Sequence, residues 1–209
     1  GKTICGPVIA SAIEKALKMG ESNACMKRIV AAPTAGACGV VPAVYLTLQE
    51  QRQIDDERML EAMYIASGVG GVIANRAFLA GAAGGCQAEI GSASSMAAAG
   101  AVYLAGGDTE AIIHAAAMAM KNLLGLACDP VAGLVEVPCV KRNVVGAVNA
   151  LSAADMALAG VRSIIPPDEV FDAMRSVGIS LPEAIRETGK GGLAATTTGQ
   201  KIAQGLQHE

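Results

Sequence analysis

The sequence predicts an all-α protein that forms a single compact helical domain. Apolar residues recur at helical spacing in several segments, and no run shows the period of two that marks strands and hairpins. The 209 residues are 52% apolar but include only three Tyr, two Phe and no Trp, whereas β-sandwiches favour β-branched and aromatic side chains. A chain of this length and apolar content is expected to fold around one sizeable core.

Six segments carry the helical pattern with recognisable ends, at 7–19, 40–51, 56–79, 111–124, 143–161 and 170–177. Acidic residues open the third of these and suit the positive end of its dipole. Asp108 is predicted to cap the fourth. Pro167 stands in the first turn of the last segment, and Gly178 is predicted to end it.

Small residues mark the helix at the centre of the predicted fold. Ala, Gly and Ser repeat on the faces of 91–107 and 147–160. Such faces let helix backbones approach closely. The sequence therefore predicts a central helix of small residues that is surrounded by other helices.

Charge and hydropathy argue against two classes of partner. The net charge is −3 and no basic stripe stands out, so nucleic-acid binding is not expected. The longest uncharged stretch, 90–107, is mostly Ala, Gly and Ser and falls short of the roughly 20 apolar residues that span a bilayer. Because no secretory signal is visible either, we expect a cytoplasmic protein without a membrane segment.

The six cysteines fall into two groups, and no disulfide scaffold is expected in a chain of this kind. Three are predicted to be small buried apolar residues: Cys5, Cys25 and Cys38. The others lie in Gly/Pro-marked loops and are either buried in the same way or ligands of a three-thiolate metal site: Cys86, Cys128 and Cys139. Gly84 and Gly85 place Cys86 before a helix, where the pKa of a thiol is lowered.

Two segments are candidates for substrate binding. Thr34 and Gly36 lie in a Gly/Pro loop that can present a hydroxyl and backbone N–H groups to a carboxylate. Lys141, Arg142 and Asn143 follow the third loop cysteine and either bind a carboxylate or form a solvated helix start. Neither histidine, at 114 or 208, has a catalytic context, and no residue is identified as the catalytic base.

Four sequence blocks resemble one enzyme family. They are APTAG at 32–36, GAAGGCQAEIGSAS at 81–94, GLACDPVAGLVEVPCVKRN at 125–143 and RETGKGGLAAT at 186–196. These blocks are similar to the α chain of the two-subunit, iron–sulfur-dependent L-serine dehydratases. The likeness extends over almost the whole chain, and the second and third blocks are long and specific.

The resemblance implies an activity and a cofactor. It implies a [4Fe–4S] cluster held by Cys86, Cys128 and Cys139, without pyridoxal phosphate, and the β-elimination of L-serine to pyruvate and ammonia. Three thiolates leave one iron open, and that iron can act as a Lewis acid on the serine hydroxyl. Such a reaction belongs to amino-acid degradation and gluconeogenesis.

The resemblance also sets the expected context of the chain. Residues 1–209 are expected to be an α-chain catalytic domain whose native chain extends further upstream. A separate β chain and a homo- or hetero-oligomer are expected partners. Two alternatives stay open at this point: a related iron–sulfur lyase that acts on threonine or cysteine, and a non-catalytic helical subunit.

Overall fold

A computed structural model describes residues 3–206, which fold into nine α-helices joined by short turns and by longer loops at 25–39, 122–138 and 181–196. The helices are α1 (Gly6–Ala24), α2 (Val40–Arg52), α3 (Asp56–Arg76), α4 (Gly81–Gly84), α5 (Ser92–Leu104), α6 (Thr109–Lys121), α7 (Cys139–Leu158), α8 (Pro167–Ser180) and α9 (Thr197–Leu206). Within this range the only β-type pairing is an isolated bridge between Cys128 and Arg186. The predicted all-α class is confirmed.

Helix α5 lies at the centre of the fold, as its small residues predict. Every residue of α5 except Tyr103 is buried, and α2, α3, α6 and α7 pack around it. Its buried hydroxyls bond to the neighbouring helices: Ser94 Oγ donates to Gly146 O at 2.9 Å and Ser95 Oγ donates to Ala116 O at 2.8 Å. Burial of these polar groups is tolerated because each has a partner.

Side-chain caps define the starts of two helices. Asp108 Oδ1 accepts a hydrogen bond from Ala111 N at 2.8 Å, which confirms the predicted cap of α6. Asp55 caps α3 in the same way, through Arg58 N at 2.8 Å. Both aspartates satisfy backbone N–H groups that have no partner inside the helix.

Several helix ends differ from the prediction. Helix α7 begins at Cys139 rather than at 143, because Pro138 can precede the first turn of a helix without loss of an internal hydrogen bond. Helix α8 continues through Gly178, so the predicted stop there is wrong. A Cβ at Gly178 would lie 2.9 Å from the Cα of Gly84, and the glycine therefore serves close packing of α8 on α4. Helices α4 and α9 were not predicted.

A second, smaller core joins α8 to the rest of the molecule. Its fully or almost fully buried members include Ile73 of α3, Met120 of α6 and the α8 residues Phe171 and Met174. This core holds α8 against α3 and α6, and Phe78 and Leu79, which precede α4, pack against it. Among residues 3–206, no helix is long and apolar enough to cross a membrane.

Candidate metal centre

The fold brings together cysteines that are far apart in the sequence. Cys86 precedes a π-helical turn (Gln87–Gly91), Cys128 lies in the segment before a 3₁₀ turn (Val131–Gly133), and Cys139 is the first residue of α7. One ligand atom each from Cys86, Glu89 and Cys128 lies within 4.8 Å of the other two. This group of two thiols and one carboxylate is a candidate metal centre. Cys139 stands at its side, close enough that Cys86 influences its pKa.

Backbone hydrogen bonds hold the Cys128 segment in place. Cys128 N donates to Ile185 O at 2.8 Å, and Glu187 N donates to Cys128 O at 2.7 Å. Gln87 N donates to Leu126 O at 3.1 Å, which fixes the chain after Cys86 against the chain before Cys128. The C-terminal block of the sequence, from 185 to 187, therefore serves to position a thiol.

The side chain of Gln87 joins three further segments near the centre. It is fully buried. Its Nε2 donates to Gly84 O at 2.9 Å and to Met174 O at 3.0 Å, and its Oε1 accepts from Gly125 N at 2.9 Å. With every hydrogen of the amide used, Gln87 fixes the relative positions of α4, α8 and the turn at 125.

Gly81 makes room for the centre. A Cβ at this position would lie 2.8 Å from Cys128 Sγ, 3.1 Å from Glu89 Oε2 and 3.3 Å from Glu187 Oε2. These three atoms of different chain segments thus surround the bare Cα of a glycine. Any side chain at position 81 would push them apart.

The thiols have unequal pKa values. A hydrogen bond with Cys128 lowers the pKa of Cys86, and the Arg142 guanidinium lowers it further, against the effect of burial. The same hydrogen bond, together with burial, raises the pKa of Cys128 far above its ordinary value. Burial raises the pKa of Cys139 to about 12. The lowered pKa of Cys86 agrees with the sequence-based expectation in direction, but its main cause is the neighbouring thiol.

Glu89 is a site residue that the motif-based reasoning missed. Burial raises the pKa of its carboxyl, a hydrogen bond from Thr34 opposes the shift, and the charge of Glu187 adds to it. A signal was present in the sequence, because Glu89 is the only charged residue between Arg76 and Asp108. A lone charge within so apolar a stretch points to a polar environment in the folded protein.

The predicted loop at 32–36 reaches the centre through Glu89. Thr34 Oγ1 donates to Glu89 Oε1 at 2.7 Å. A Cβ at Gly36 would lie 3.0 Å from Glu89 Oε2. The structure therefore places both Thr34 and Gly36 against the carboxylate of the candidate centre.

The three predicted residues at the start of α7 have different surroundings. Arg142 lies beside Cys86 and Asp129, whereas Lys141 is exposed. Asn143 is buried, and its Nδ2 donates to Gly36 O at 2.8 Å and to Cys139 O at 3.0 Å. Its Oδ1 accepts from Gly39 N at 2.8 Å. Because both amide hydrogens are used, Asn143 has a positioning role in place of the predicted contact with a substrate carboxylate.

The remaining cysteines and His114 lie outside the centre. Cys38 is buried as predicted, but Cys5 and Cys25 are exposed, so that prediction is wrong for them. Both exposed cysteines flank α1, where no neighbouring helix covers them. His114 lines a separate cleft of about 410 Å³ at the ends of α5 and α7, and position 208 lies outside the described residues.

Comparisons with known proteins agree on one family. The family model described as "Serine dehydratase alpha chain" matches residues 1–194. The chain is 55% identical over 202 residues to the probable L-serine dehydratase, alpha chain, of Bacillus subtilis, a match that covers 97% of this chain and 67% of that protein. It is 56% identical over 192 residues to the probable L-serine dehydratase, alpha chain, of Latilactobacillus sakei, covering 92% of both chains. Against the L-serine dehydratase, alpha chain, of Peptoniphilus asaccharolyticus it is 50% identical over 209 residues, covering 100% of this chain and 72% of that protein.

Proposed function

Because the chain belongs to the serine dehydratase alpha chain family, we propose that it is the α chain of an L-serine dehydratase that converts L-serine to pyruvate and ammonia. One observation carries the proposal beyond the family: Cys86, Cys128 and Glu89 meet within 4.8 Å. Cys139 stands beside them. These residues come from two of the four sequence blocks that resemble the family, 81–94 and 125–143.

The donor set fits an iron–sulfur cluster. Cysteine thiolates are the usual ligands of such clusters, and Cys86, Cys128 and Cys139 are the residues that would hold a [4Fe–4S] cluster here. When bound through three thiolates, the cluster supplies an open iron that acts as a Lewis acid on the serine hydroxyl. Gly81 places no side-chain atom of its own beside Cys128 Sγ.

The chain's own residues supply the proton transfer. We infer that Glu89 Oε2 takes the proton from the Cα of serine. The other carboxylate oxygen of Glu89, Oε1, accepts the hydrogen bond from Thr34, which fixes the plane of the carboxylate. Oε2 faces the bare Cα atoms of Gly81 and Gly36, where the Cβ of any other residue would lie within 3.1 Å of it. A buried carboxylate with a raised pKa is a stronger base than an exposed one, which suits removal of a weakly acidic proton.

The partners follow from the family. The name of the family implies a separate β chain, and we propose that the two chains form the working enzyme together. We also propose a cytoplasmic location, which is supported by six free cysteines, since a reducing compartment keeps thiols reduced.

The test combines a metal count with an assay. The α chain, prepared and reconstituted without oxygen and assayed with its β chain, is expected to hold about four irons per chain and to release pyruvate from L-serine. Cys128→Ser should lose both iron and activity. Cys25→Ser is the matched control, because Cys25 is exposed and lies outside the centre, and it should keep both.

Other outcomes would contradict the proposal in separable ways. Release of 2-oxobutyrate from threonine or of sulfide from cysteine, at rates above pyruvate release from serine, would identify a different substrate. No iron in the anaerobic protein would point to a non-catalytic helical subunit.

A further inference from the structure

Two carboxylates face the same small space next to the thiols. Glu89 Oε2 and Glu187 Oε2 lie 3.1 and 3.3 Å from the position that a Cβ on Gly81 would occupy. The charge of Glu187 is felt at both Glu89 and Cys128, whose pKa values it raises. Three sides of the space are thus formed by a sulfur and two carboxylate oxygens.

Neither carboxylate has a cationic partner. The ion pairs among residues 3–206 include neither Glu89 nor Glu187. The guanidinium of Arg142, which lies beside Cys86, is paired with Asp129. The carboxylates of Glu89 and Glu187 carry like charges and repel each other, and a cation between them removes the repulsion. The two carboxylates that converge beside Gly81 therefore favour a small positively charged group.

The backbone at Glu187 holds its side chain toward this space. Glu187 has a φ of 62°, a left-handed conformation that is uncommon for residues other than glycine. Its N–H donates to Cys128 O at 2.7 Å, which maintains the conformation. Strained backbone of this kind concentrates at functional sites, where the surrounding structure enforces it.

Glu187 also borders the solvent. It lines a groove of about 1140 Å³ that runs between the turn at 132–134, the loop at 187–190 and helix α9. Glu187 is exposed, whereas Glu89 is half-buried. A ligand that enters from the groove thus meets Glu187 before it meets Glu89 and the thiols.

We propose that Glu187 binds the α-ammonium group of the amino-acid substrate. The inference rests on the proposed function, which requires a substrate with an ammonium group next to the Cα that loses its proton. With the ammonium at Glu187, the neighbouring Cα lies toward Glu89 Oε2, and the side-chain hydroxyl lies on the side of Cys128.

The test compares Glu187→Gln with the wild-type enzyme. Glutamine keeps the shape of the side chain but removes its charge, and a hydrogen bond to a charged group contributes about 1.5–3 kcal/mol. The KM for L-serine should therefore rise about 10- to 100-fold, with a smaller change in kcat and with unchanged iron content. Glu183→Gln is the matched control, because Glu183 is an exposed glutamate of the same segment that pairs only with Lys190, and its KM should stay at the wild-type value.

A pair of non-reacting ligands isolates the ammonium contact. L-Alanine carries the ammonium group, and L-lactate has a hydroxyl in its place. Calorimetric titration of the iron-loaded enzyme should show that Glu187→Gln weakens the binding of L-alanine by the factor by which it raises the KM for L-serine. The affinity for L-lactate should stay unchanged. Equal loss for both ligands, or an unchanged KM for L-serine, would overturn the inference.

The two proposals fail separately. A wild-type enzyme that binds L-alanine through Glu187 but does not turn over L-serine contradicts the proposed function alone. An enzyme that turns over L-serine with a KM independent of Glu187 contradicts the ammonium site alone.

Discussion

Arg142 Nη1 lies 2.8 Å from Asp129 Oδ1, so an ion pair joins helix α7 to the segment that carries Cys128. The side chains are only 16% and 6% exposed. Arg142 Nη1 also donates to Ala127 O at 2.7 Å, and Asp129 Oδ2 accepts from Leu193 N at 2.8 Å. The pair therefore connects helix α7 and the turn at 192–195 to the Cys128 segment, and it places a guanidinium beside Cys86.

Removal of the Arg142 charge should destabilise the fold. Arg142→Met would leave Asp129 buried without its cation, and loss of one partner of a buried pair costs about 3 kcal/mol or more. Arg76→Met is the matched control, because Arg76 pairs with Asp172 and Asp168 at the surface, where ion pairs contribute about 0–1 kcal/mol. Urea unfolding of the two variants measures the difference, and equal losses would show that the Arg142 pair is no more than a surface contact.

A methyl group at Gly81 should disrupt the metal centre. Gly81→Ala would place a Cβ 2.8 Å from Cys128 Sγ, so the thiol must move. We expect loss of most of the iron from a protein whose helical circular dichroism is unchanged. Gly71→Ala is the control, because a Cβ there meets nothing within 4 Å and stabilises helix α3 by up to about 1 kcal/mol. Full iron content in Gly81→Ala would place the centre elsewhere.

Asn143 should contribute strongly to stability. Asn143→Ala removes a side chain that bonds to Gly36, Gly39 and Cys139 and leaves buried backbone groups without partners. Each such group costs about 1–3 kcal/mol, so we expect a loss of at least about 2 kcal/mol in the free energy of unfolding. Asn75→Ala, on the exposed face of α3, is the control and should change the free energy of unfolding by less than about 0.5 kcal/mol. If the two variants lose equal stability in urea, the loop at 32–39 does not depend on Asn143.

Alkylation should distinguish the three cysteines outside the centre. Cys5 and Cys25 are exposed and should react with iodoacetamide at pH 8, as peptide mass spectrometry can show for each site. Cys38 is buried, and burial raises its pKa to about 11, which leaves about one thiolate in a thousand at pH 8. Its rate should rise as the pH approaches 11, because the thiolate is the reactive form. Labelling of Cys38 as fast as Cys25 at pH 8 would contradict its buried position.

The pattern of residues determined the helical framework. Helical periodicity, the Asp108 cap and the run of small residues in 91–107 are local properties of the chain. They were sufficient to predict the all-α class and a central helix surrounded by others. The blocks around Cys86, Cys128 and Cys139 were also sufficient to identify the family, because each is long and specific.

The tertiary structure alone decided which polar side chains meet the thiols. Glu89, Glu187 and Asp129 owe their roles to contacts with segments that are distant in the chain, and local pattern carries no record of such contacts. Position 143 shows the same limit, because a polar residue at a helix start can face either solvent or a neighbouring loop, and only the packing of the loop at 32–39 on α7 selects the second. Gly178 was predicted as a helix end because glycine commonly follows the last turn of a helix, yet close contact with Gly84 makes it a packing residue inside α8. The sequence by itself thus determined most of the helices and the family, whereas the folding of distant segments onto one another decided which charges surround the thiols.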